Sequence, residues 1–256
     1  MQALVFLLVS EDRSDGALDV LESISKGLMR EVCAGCSTAP SRMRFDPVEG
    51  QARKAAIANR MASRKEGSRQ ERVTLTRAIA TGLATPRGFV VYHMDGDVVW
   101  AKRKKSAAPD RLEEWVKQPV RQLLAAKKGN PAALLAKLLF VCPFYSIESW
   151  LYQNGRVAKQ LCSAKCGGMH VRRIDSWETD RGLLDEVDRP KEAICLGDEY
   201  NARLAREAFP FGEVIGAGKS LAATRDRFAG CNELVEGLKD TRDQVPSGSG
   251  ARRGPR

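Results

Sequence analysis

The stretch that decides the fold is Val90–Asp97, which reads Val-Val-Tyr-His-Met-Asp-Gly-Asp. Its apolar part is rich in β-branched and aromatic residues and is bounded by Gly88 and Gly96, a pattern typical of a buried strand. Residues two positions apart point to the same side of a strand, so Asp95 and Asp97 would project together at its carboxyl end. Two such carboxylates repel each other unless a cation lies between them, and oxygen ligands favour a hard ion such as Mg²⁺ or Mn²⁺.

The same residues allow a second interpretation. Asp-Gly is a strong turn signal, and a hairpin turn there would join Val90–Met94 to Val98–Trp100. His93 lies on the opposite side of the strand from Met94, and we expect it to pack in the core rather than to take part in chemistry. The remainder of the chain has to favour one of the two interpretations.

Composition limits the class of protein. The 256 residues are 43% hydrophobic and 29% charged, which is enough apolar material for one large domain or two small ones. The net charge of +10 favours a polyanionic partner, because neutralising phosphates releases counterions. Seven cysteines, an odd number spread over a long chain, indicate reduced thiols in a cytosol rather than a disulfide framework. No apolar run is long enough to span a bilayer, so we expect a cytoplasmic protein that does not enter membranes.

The first unit is predicted to be a strand, an acidic turn and a helix. Gln2–Val9 is a nearly continuous apolar run, as expected of a strand covered on both faces, and Ala17–Met29 has helical spacing of its apolar residues. Glu11 and Asp15 lie in the turn between them, where they would flank the opening of the helix. Capping of the helix by Ser14 or Asp15 explains the same segment without a site and is also compatible with one.

The middle of the chain is predicted to be helical. Gln51–Arg72 is rich in Lys, Arg and Ala and predicts a basic helical insertion around residues 50–72, which is either a solvated face or a surface that grips a phosphate backbone. Thr76–Leu83 predicts a separate short helix. Asp110–Lys127 is amphipathic, and Pro119 predicts a kink or break within it.

A third acidic position follows the apolar segment Ala132–Val141. The pattern of this segment predicts a helix that runs into a strand. Ser146 fits the cap of the next helix. Glu148 then lies in the first turn of that helix, close to the end of the preceding strand. The alternative for Glu148 is a surface acid that complements the helix dipole.

Two cysteine motifs are candidates for a metal or a redox pair. The first is Cys33-Ala34-Gly35-Cys36, which is half of a zinc site or a redox pair. The second places Cys162, Cys166 and His170 at intervals of four residues. Together the two motifs could form a four-ligand zinc site, although neither flank has a zinc-ribbon pattern.

The last part of the chain holds a glycine-rich loop and a tail. Gly212–Ser220 looks like a P-loop, but Glu213 stands where that motif needs a Gly, so we exclude nucleotide binding there. Leu221–Leu238 predicts a final helix. Residues 244–256 are Gly, Ser, Pro and Arg, which predicts a disordered tail after a single domain over residues 1–243.

Taken in order, the acids after the apolar runs resemble a known family. They are Glu11 with Asp15, Asp95 with Asp97, and Glu148. The arrangement resembles the Toprim fold, the metal-binding domain shared by topoisomerases, primases and a group of nucleases. It is most similar to nucleases of the overcoming-lysogenisation-defect type and to stand-alone Toprim-like proteins of bacterial anti-phage systems. The likeness covers roughly residues 1–240 and includes a Tyr-Ser-Ile-Glu segment, although Asp12 stands where the family usually has Gly.

The resemblance implies a Toprim-like, mostly parallel α/β sheet flanked by helices, with helical insertions and with acids at the carboxyl ends of its strands. It implies Mg²⁺- or Mn²⁺-dependent hydrolysis of phosphodiester bonds in DNA or RNA. The metal ligands would come from Glu11, Asp15, Asp95, Asp97 and Glu148. Glu11 could instead act as general acid or base, and Lys219 would be an electrostatic partner of the phosphate. The resemblance also implies an anti-phage role beside an ATPase partner.

Three functions are therefore in competition. The first is a metal-dependent nuclease. The second is a non-catalytic Toprim-like module that binds nucleic acid or a partner protein. The third is a zinc-stabilised nucleic-acid-binding protein that uses the cysteine motifs. The nuclease requires the acids from distant parts of the chain to converge on one divalent cation.

Overall fold

The computed structural model describes residues 2–14, 16–57, 66–96, 106–126, 130–187 and 189–241. The strands in these ranges are β1 (Leu4–Ser10), β2 (Met43–Pro47), β3 (Gly88–His93) and β4 (Leu138–Val141). They form one parallel sheet in the order β2, β1, β3, β4. The predicted α/β class, with a parallel sheet flanked by helices, is confirmed.

Helices make up most of the remaining described residues. In chain order they are α1 (Ala17–Val32), α2 (Gly50–Ala56), α3 (Glu66–Ala84), α4 (Ala108–Arg111), α5 (Gln118–Ala125), α6 (Pro131–Ala136), α7 (Glu148–Leu151), α8 (Gly155–Cys166), α9 (Val171–Thr179), α10 (Pro190–Ala193), α11 (Asn201–Arg206), α12 (Phe211–Gly216), α13 (Lys219–Ala229) and α14 (Asn232–Lys239). A 3₁₀ helix, Arg181–Glu186, follows α9. Within the described ranges, none of these helices has both the length and the apolar character needed to cross a membrane.

The sheet register brings the carboxyl ends of three strands side by side. β1 and β3 pair from Val5 with Gly88 to Ser10 with His93, so the two strands end at the same level. The end of β3 pairs in turn with the end of β4, since His93 is opposite Val141. The loops that follow these strands therefore leave the sheet from one edge, where open α/β sheets bind ligands.

Alternating side chains of the strands pack into two hydrophobic cores, one on each face of the sheet. Phe6 lies in the larger core, which includes α1 and the helices of the second half of the chain, and stacks on Phe45 and Phe89 at centroid distances of 4.9 and 5.3 Å. Tyr92 and Met94 lie in the smaller core with α2, α3 and α5. Because both faces are covered, the strands read as continuous apolar runs, as the sequence predicted.

Two predicted helix boundaries are wrong. Thr76–Leu83 is not a separate helix but the second half of α3, which continues from the basic segment without a break. The predicted single helix Leu221–Leu238 is divided into α13 and α14, because the backbone of Cys231 is extended between them. The basic insertion predicted around residues 50–72 is helical in α2 and at the start of α3, and residues 58–65 lie outside the described residues.

Pro119 does not break its helix. A π-helical segment, Leu112–Lys117, joins α4 to α5, and the Gln118 N–H donates to the Glu113 carbonyl oxygen, five residues back. Pro119 then falls in the first turn of α5, where a missing N–H costs little. The tail predicted over residues 244–256 lies outside the described residues.

Candidate functional site

Glu11 and Asp95 meet at the carboxyl edge of the sheet. Glu11 follows β1 directly, and its N–H donates to the His93 carbonyl oxygen at 3.2 Å. Its side chain reaches across to the loop after β3, where Glu11 Oε1 accepts the Asp95 N–H. Two acids that are 84 residues apart in the chain are thus in direct contact.

One oxygen of the Asp95 carboxylate is held by the protein. Asp95 Oδ1 lies 3.1 Å from His93 Nε2 and accepts the Ile147 N–H at 3.2 Å. The Asp95 side chain is 26% exposed. Among the described residues Oδ2 has no such contact, so it is the oxygen of this carboxylate that a ligand could use.

His93 is a partner of Asp95 that the sequence did not reveal. It is buried, and its Nδ1 lies 2.9 Å from Oγ of Ser10, its buried neighbour on β1. Burial lowers the pKa of His93, but the contact with Asp95 and the negative charges of Asp95, Glu11 and Asp12 together raise it above the ordinary value. His93 packs, as predicted, yet it also holds Asp95, two residues further on the same side of the chain.

The turn after β1 is fixed by Arg53 of α2. Its guanidinium group donates to the carbonyl oxygens of Ser10 and Asp12, on either side of Glu11. The Asp12 carboxylate in turn accepts the Ser14 N–H at 2.9 Å and the Ser14 Oγ–H at 3.2 Å. The predicted capping of α1 by Ser14 is therefore wrong, because the Ser14 hydroxyl is bound to Asp12.

Gly96 explains how the loops after β3 and β4 approach each other. A Cβ atom at Gly96 would lie 2.1 Å from the carbonyl oxygen of Phe144 and 2.5 Å from that of Pro143. Gly96 does not have the positive φ that both central residues of a type I′ hairpin need. The glycine of the Asp-Gly-Asp segment is thus required by close packing, and Val98–Trp100, the second strand of the hairpin alternative, lies outside the described residues.

Glu148 lies at the same edge but is fully buried. Its Oε2 accepts the Ser146 hydroxyl at 2.6 Å, and its Oε1 accepts Asn201 Nδ2 at 2.7 Å and lies 3.3 Å from Lys191 Nζ. Burial raises the pKa of Glu148 and the charge of Asp95 adds to this, whereas Lys191 and Ser146 lower it. Both oxygens of Glu148 already have protein partners. Ser146 binds Glu148 instead of capping α7, and no side-chain cap is present at the start of that helix.

Lys191 of α10 places a positive charge beside this edge. Its Nζ contacts Glu148 and lies 2.9 Å from Asp198 Oδ1. Burial lowers the pKa of Lys191, but the charges of Glu148, Asp198 and Asp12 raise it overall, so this side chain stays protonated.

Lys219 has different partners. Its Nζ donates to the Gly182 carbonyl oxygen at 2.7 Å and lies 3.0 Å from Glu186 Oε1. These contacts tie α13 to the 3₁₀ helix Arg181–Glu186, and they do not include Glu11, Asp95 or Glu148. Of the predicted site residues, the structure therefore brings together Glu11 and Asp95, adds Glu148 as a buried neighbour, and gives Lys219 a separate position. Asp15 and Asp97 lie outside the described residues.

The cysteines do not form the predicted four-ligand site. Cys33 and Cys36 are buried in the larger core and form no disulfide. Cys166 forms a disulfide with Cys195, so the prediction that all thiols are reduced is wrong for this pair. The reason is tertiary: the end of α8 packs against the loop after α10, which the spacing of the cysteines along the chain does not reveal.

No protein-family model, no curated protein and no solved structure matches the chain. Its function must therefore be argued from the arrangement of its own residues.

Proposed function

We propose that the chain is a divalent-metal-dependent nuclease that hydrolyses phosphodiester bonds in DNA or RNA. The observation that carries the proposal is the contact of Glu11 with Asp95 at the carboxyl edge of a parallel sheet. The Glu11 carboxylate lies against the backbone of the residue that carries the Asp95 carboxylate, and two like charges at one edge of the sheet favour a cation between them. Their oxygens suit Mg²⁺ or Mn²⁺ better than a soft ion.

The roles of the side chains follow from their contacts. Glu11 and Asp95 would hold the ion through their carboxylate oxygens. A bound ion of this kind supplies Lewis-acid stabilisation of the phosphate and a nucleophilic hydroxide. His93, the last residue of β3, fixes the orientation of Asp95 by its contact with Oδ1, and Arg53 fixes the turn that carries Glu11. Lys191, rather than Lys219, is the lysine whose charge lies beside Glu148, the buried neighbour of these acids, and it would attract the phosphate.

A basic surface next to the smaller core supports a nucleic-acid partner. A cavity between α3 and α5 is lined by Arg69, Arg72, Arg77 and Trp115 among others. Arginines beside a half-buried aromatic ring are suited to phosphates and stacked bases. We propose this surface, within and just after the predicted basic insertion, as the part of the chain that positions the substrate. The anti-phage role and the ATPase partner are proposed on the family resemblance alone.

A second candidate is a Toprim-like module that binds nucleic acid or a partner protein without turnover. The observation in its favour is that Asp95 Oδ1 is already compensated by His93 and by the Ile147 N–H. Asp12, where the family usually has Gly, is used for the local turn with Ser14. Such a chain would bind nucleic acid through its basic surface, without a metal at the acidic edge.

The test is cleavage of plasmid, linear DNA and tRNA in Mg²⁺ or Mn²⁺ by the wild type and by Glu11→Gln and Asp95→Asn. Glu236→Gln is the matched control, because Glu236 is an exposed acid that pairs with Lys239 on α14. The nuclease proposal expects metal-dependent cleavage that is lost in the first two variants and kept in the third. Cleavage that survives in both site variants would exclude these residues. Metal-independent binding without cleavage in the wild type would favour the second candidate.

A further inference from the structure

Three cysteines from two parts of the chain come together at the end of α8. Cys162 and Cys166 are one helical turn apart on α8, and Cys195 lies in the loop after α10. Their three Sγ atoms all lie within 4.8 Å of one another. Among the described residues, this is the one group of three or more His, Cys, Asp or Glu side chains that is close enough to share an ion.

The spacing of the sulfurs matches a thiolate metal site. A Zn–S bond of about 2.3 Å places the sulfurs of a tetrahedral site about 3.8 Å apart. Cys162 Sγ lies 3.4 Å from Cys166 Sγ, and Cys166 is bonded to Cys195. Small side-chain rotations would therefore bring three thiolates to ligand distance without moving α8.

The surroundings of the cluster are suited to a thiolate. Cys162 is fully buried, whereas Cys166 and Cys195 are half-buried, so the cluster lies just beneath the surface. Gly167 and Gly168 have φ values of +63° and +80° and turn the chain back over the end of α8. As a result the His170 N–H donates to Cys162 Sγ at 3.4 Å. An N–H donor of this kind stabilises a metal-bound sulfur.

We infer that this cluster is a redox-gated site for one soft divalent ion, Zn²⁺, with Cys162, Cys166 and Cys195 as its protein ligands. The fourth position is left to water, as in zinc sites with three protein ligands. The predicted partners Cys33 and Cys36 are not part of this group, and neither is the His170 imidazole. The disulfide-bonded form is the closed state of the site, because only Cys162 then remains as a thiol.

A dithiol can act as the reductant that converts the disulfide-bonded cluster into the zinc-binding cluster. The dithiol gives two electrons and two protons to the Cys166–Cys195 bond and itself becomes a disulfide. Zn²⁺ then replaces the three thiol protons, which pass to the buffer. A disulfide-forming oxidant would reverse the change and release the ion.

The test is zinc content of the full chain after reduction, incubation with Zn²⁺ and removal of free metal. We expect about one ion per reduced chain, and release of that ion when the protein is oxidised. In Co²⁺-loaded protein we expect thiolate-to-cobalt charge-transfer absorption. Cys162→Ser, Cys166→Ser and Cys195→Ser should each weaken binding at least about 100-fold, more than loss of a residue that only supports a ligand. Cys231→Ser, at a buried free cysteine outside the cluster, should bind as the wild type does.

Two results would overturn the inference. One is a reduced wild type that takes up no more zinc than Cys166→Ser. The other is a wild type that holds the same amount of zinc in its oxidised and reduced forms. The cycle of oxidation and reduction on the wild type decides the matter even where a serine variant fails to fold.

Discussion

Asp95 and Glu148 follow neighbouring strands of the same sheet, yet their environments differ. Asp95 is about a quarter exposed, and the described contacts of its carboxylate use one oxygen. Glu148 is fully buried, and Ser146, Asn201 and Lys191 occupy both of its oxygens. An acid at the end of a strand is thus in the right place for a site, but its availability to a ligand depends on partners that come from elsewhere in the chain. We therefore propose a chemical role for Asp95 and a structural role for Glu148.

The largest expected effect is the loss of cleavage in Asp95→Asn. Removing a carboxylate that holds the ion should lower the rate by about 10²–10³-fold, the size of effect typical when one group that stabilises the transition state is removed. Above the raised pKa of His93, thermal stability should change little, since Asn keeps the shape of the side chain and the pairing with His93 no longer contributes a charge there. Rates and melting curves of the purified variant check both parts. Cleavage by this variant at the wild-type rate would contradict the proposal that Asp95 holds the ion.

Glu148→Ala should act on stability instead. It leaves Asn201 and Lys191 without their buried partner, and breaking a buried pair costs several kcal/mol. Because Lys191 is partly exposed, we expect a loss of about 2–4 kcal/mol in the free energy of unfolding. Urea denaturation measures it. Glu148→Gln, which can keep hydrogen bonds to Ser146 and Asn201, should lose less, and a large loss of cleavage in this folded variant would mean that Glu148 does bind the ion.

The pairing of His93 with Asp95 should make the stability of the protein depend on pH. Its pKa in the folded protein is raised above the ordinary value of 6.5, because the charges around Asp95 outweigh burial. The resulting stabilisation is fully present below pH 6.5 and is lost as the pH rises through the raised pKa. The wild type should therefore lose stability relative to His93→Gln as the pH increases across this range. Denaturation curves of both proteins at a series of pH values test the sign, and a difference that stays constant or grows with pH would contradict the pairing.

The smallest expected effect is that of Lys219→Met. The pair with Glu186 is partly exposed and contributes about 0–1 kcal/mol, and the residue does not contact the acids of the edge. Cleavage should change by less than about twofold. Lys191→Met is the matched variant and should lower cleavage more, because its charge lies beside Glu148 and Asp12. A larger loss of cleavage in Lys219→Met than in Lys191→Met would instead favour Lys219 as the phosphate partner.

Much of this arrangement could be predicted from the sequence. The apolar runs predicted buried strands that end in acids, because this depends on local pattern. The parallel sheet, and with it the meeting of Glu11 with the segment after β3, was implied by the family resemblance that these acids carry. The partners of Glu148 could not be predicted. Asn201 is 53 residues away and Lys191 is on another short helix, so their positions depend on how helices pack.

The partners of the cysteines and of His93 could not be predicted for the same reason. The spacing of Cys162 and Cys166 indicated a shared face, but their third partner comes from a loop 29 residues after Cys166. The pairing of His93 with Ser10 needs the register of β1 against β3, which a sequence pattern does not fix. The ends of the strands and the acids there were accessible from the sequence, whereas the partners that the helices and their loops bring to them were not.

The most direct test of the central claim is Mn²⁺ binding, measured by electron paramagnetic resonance of the free ion during titration. The account predicts one bound ion per wild-type chain, loss of this site in Glu11→Gln and in Asp95→Asn, and its retention in Glu148→Gln. Equal Mn²⁺ binding by the wild type and by a Glu11→Gln, Asp95→Asn double variant would contradict it.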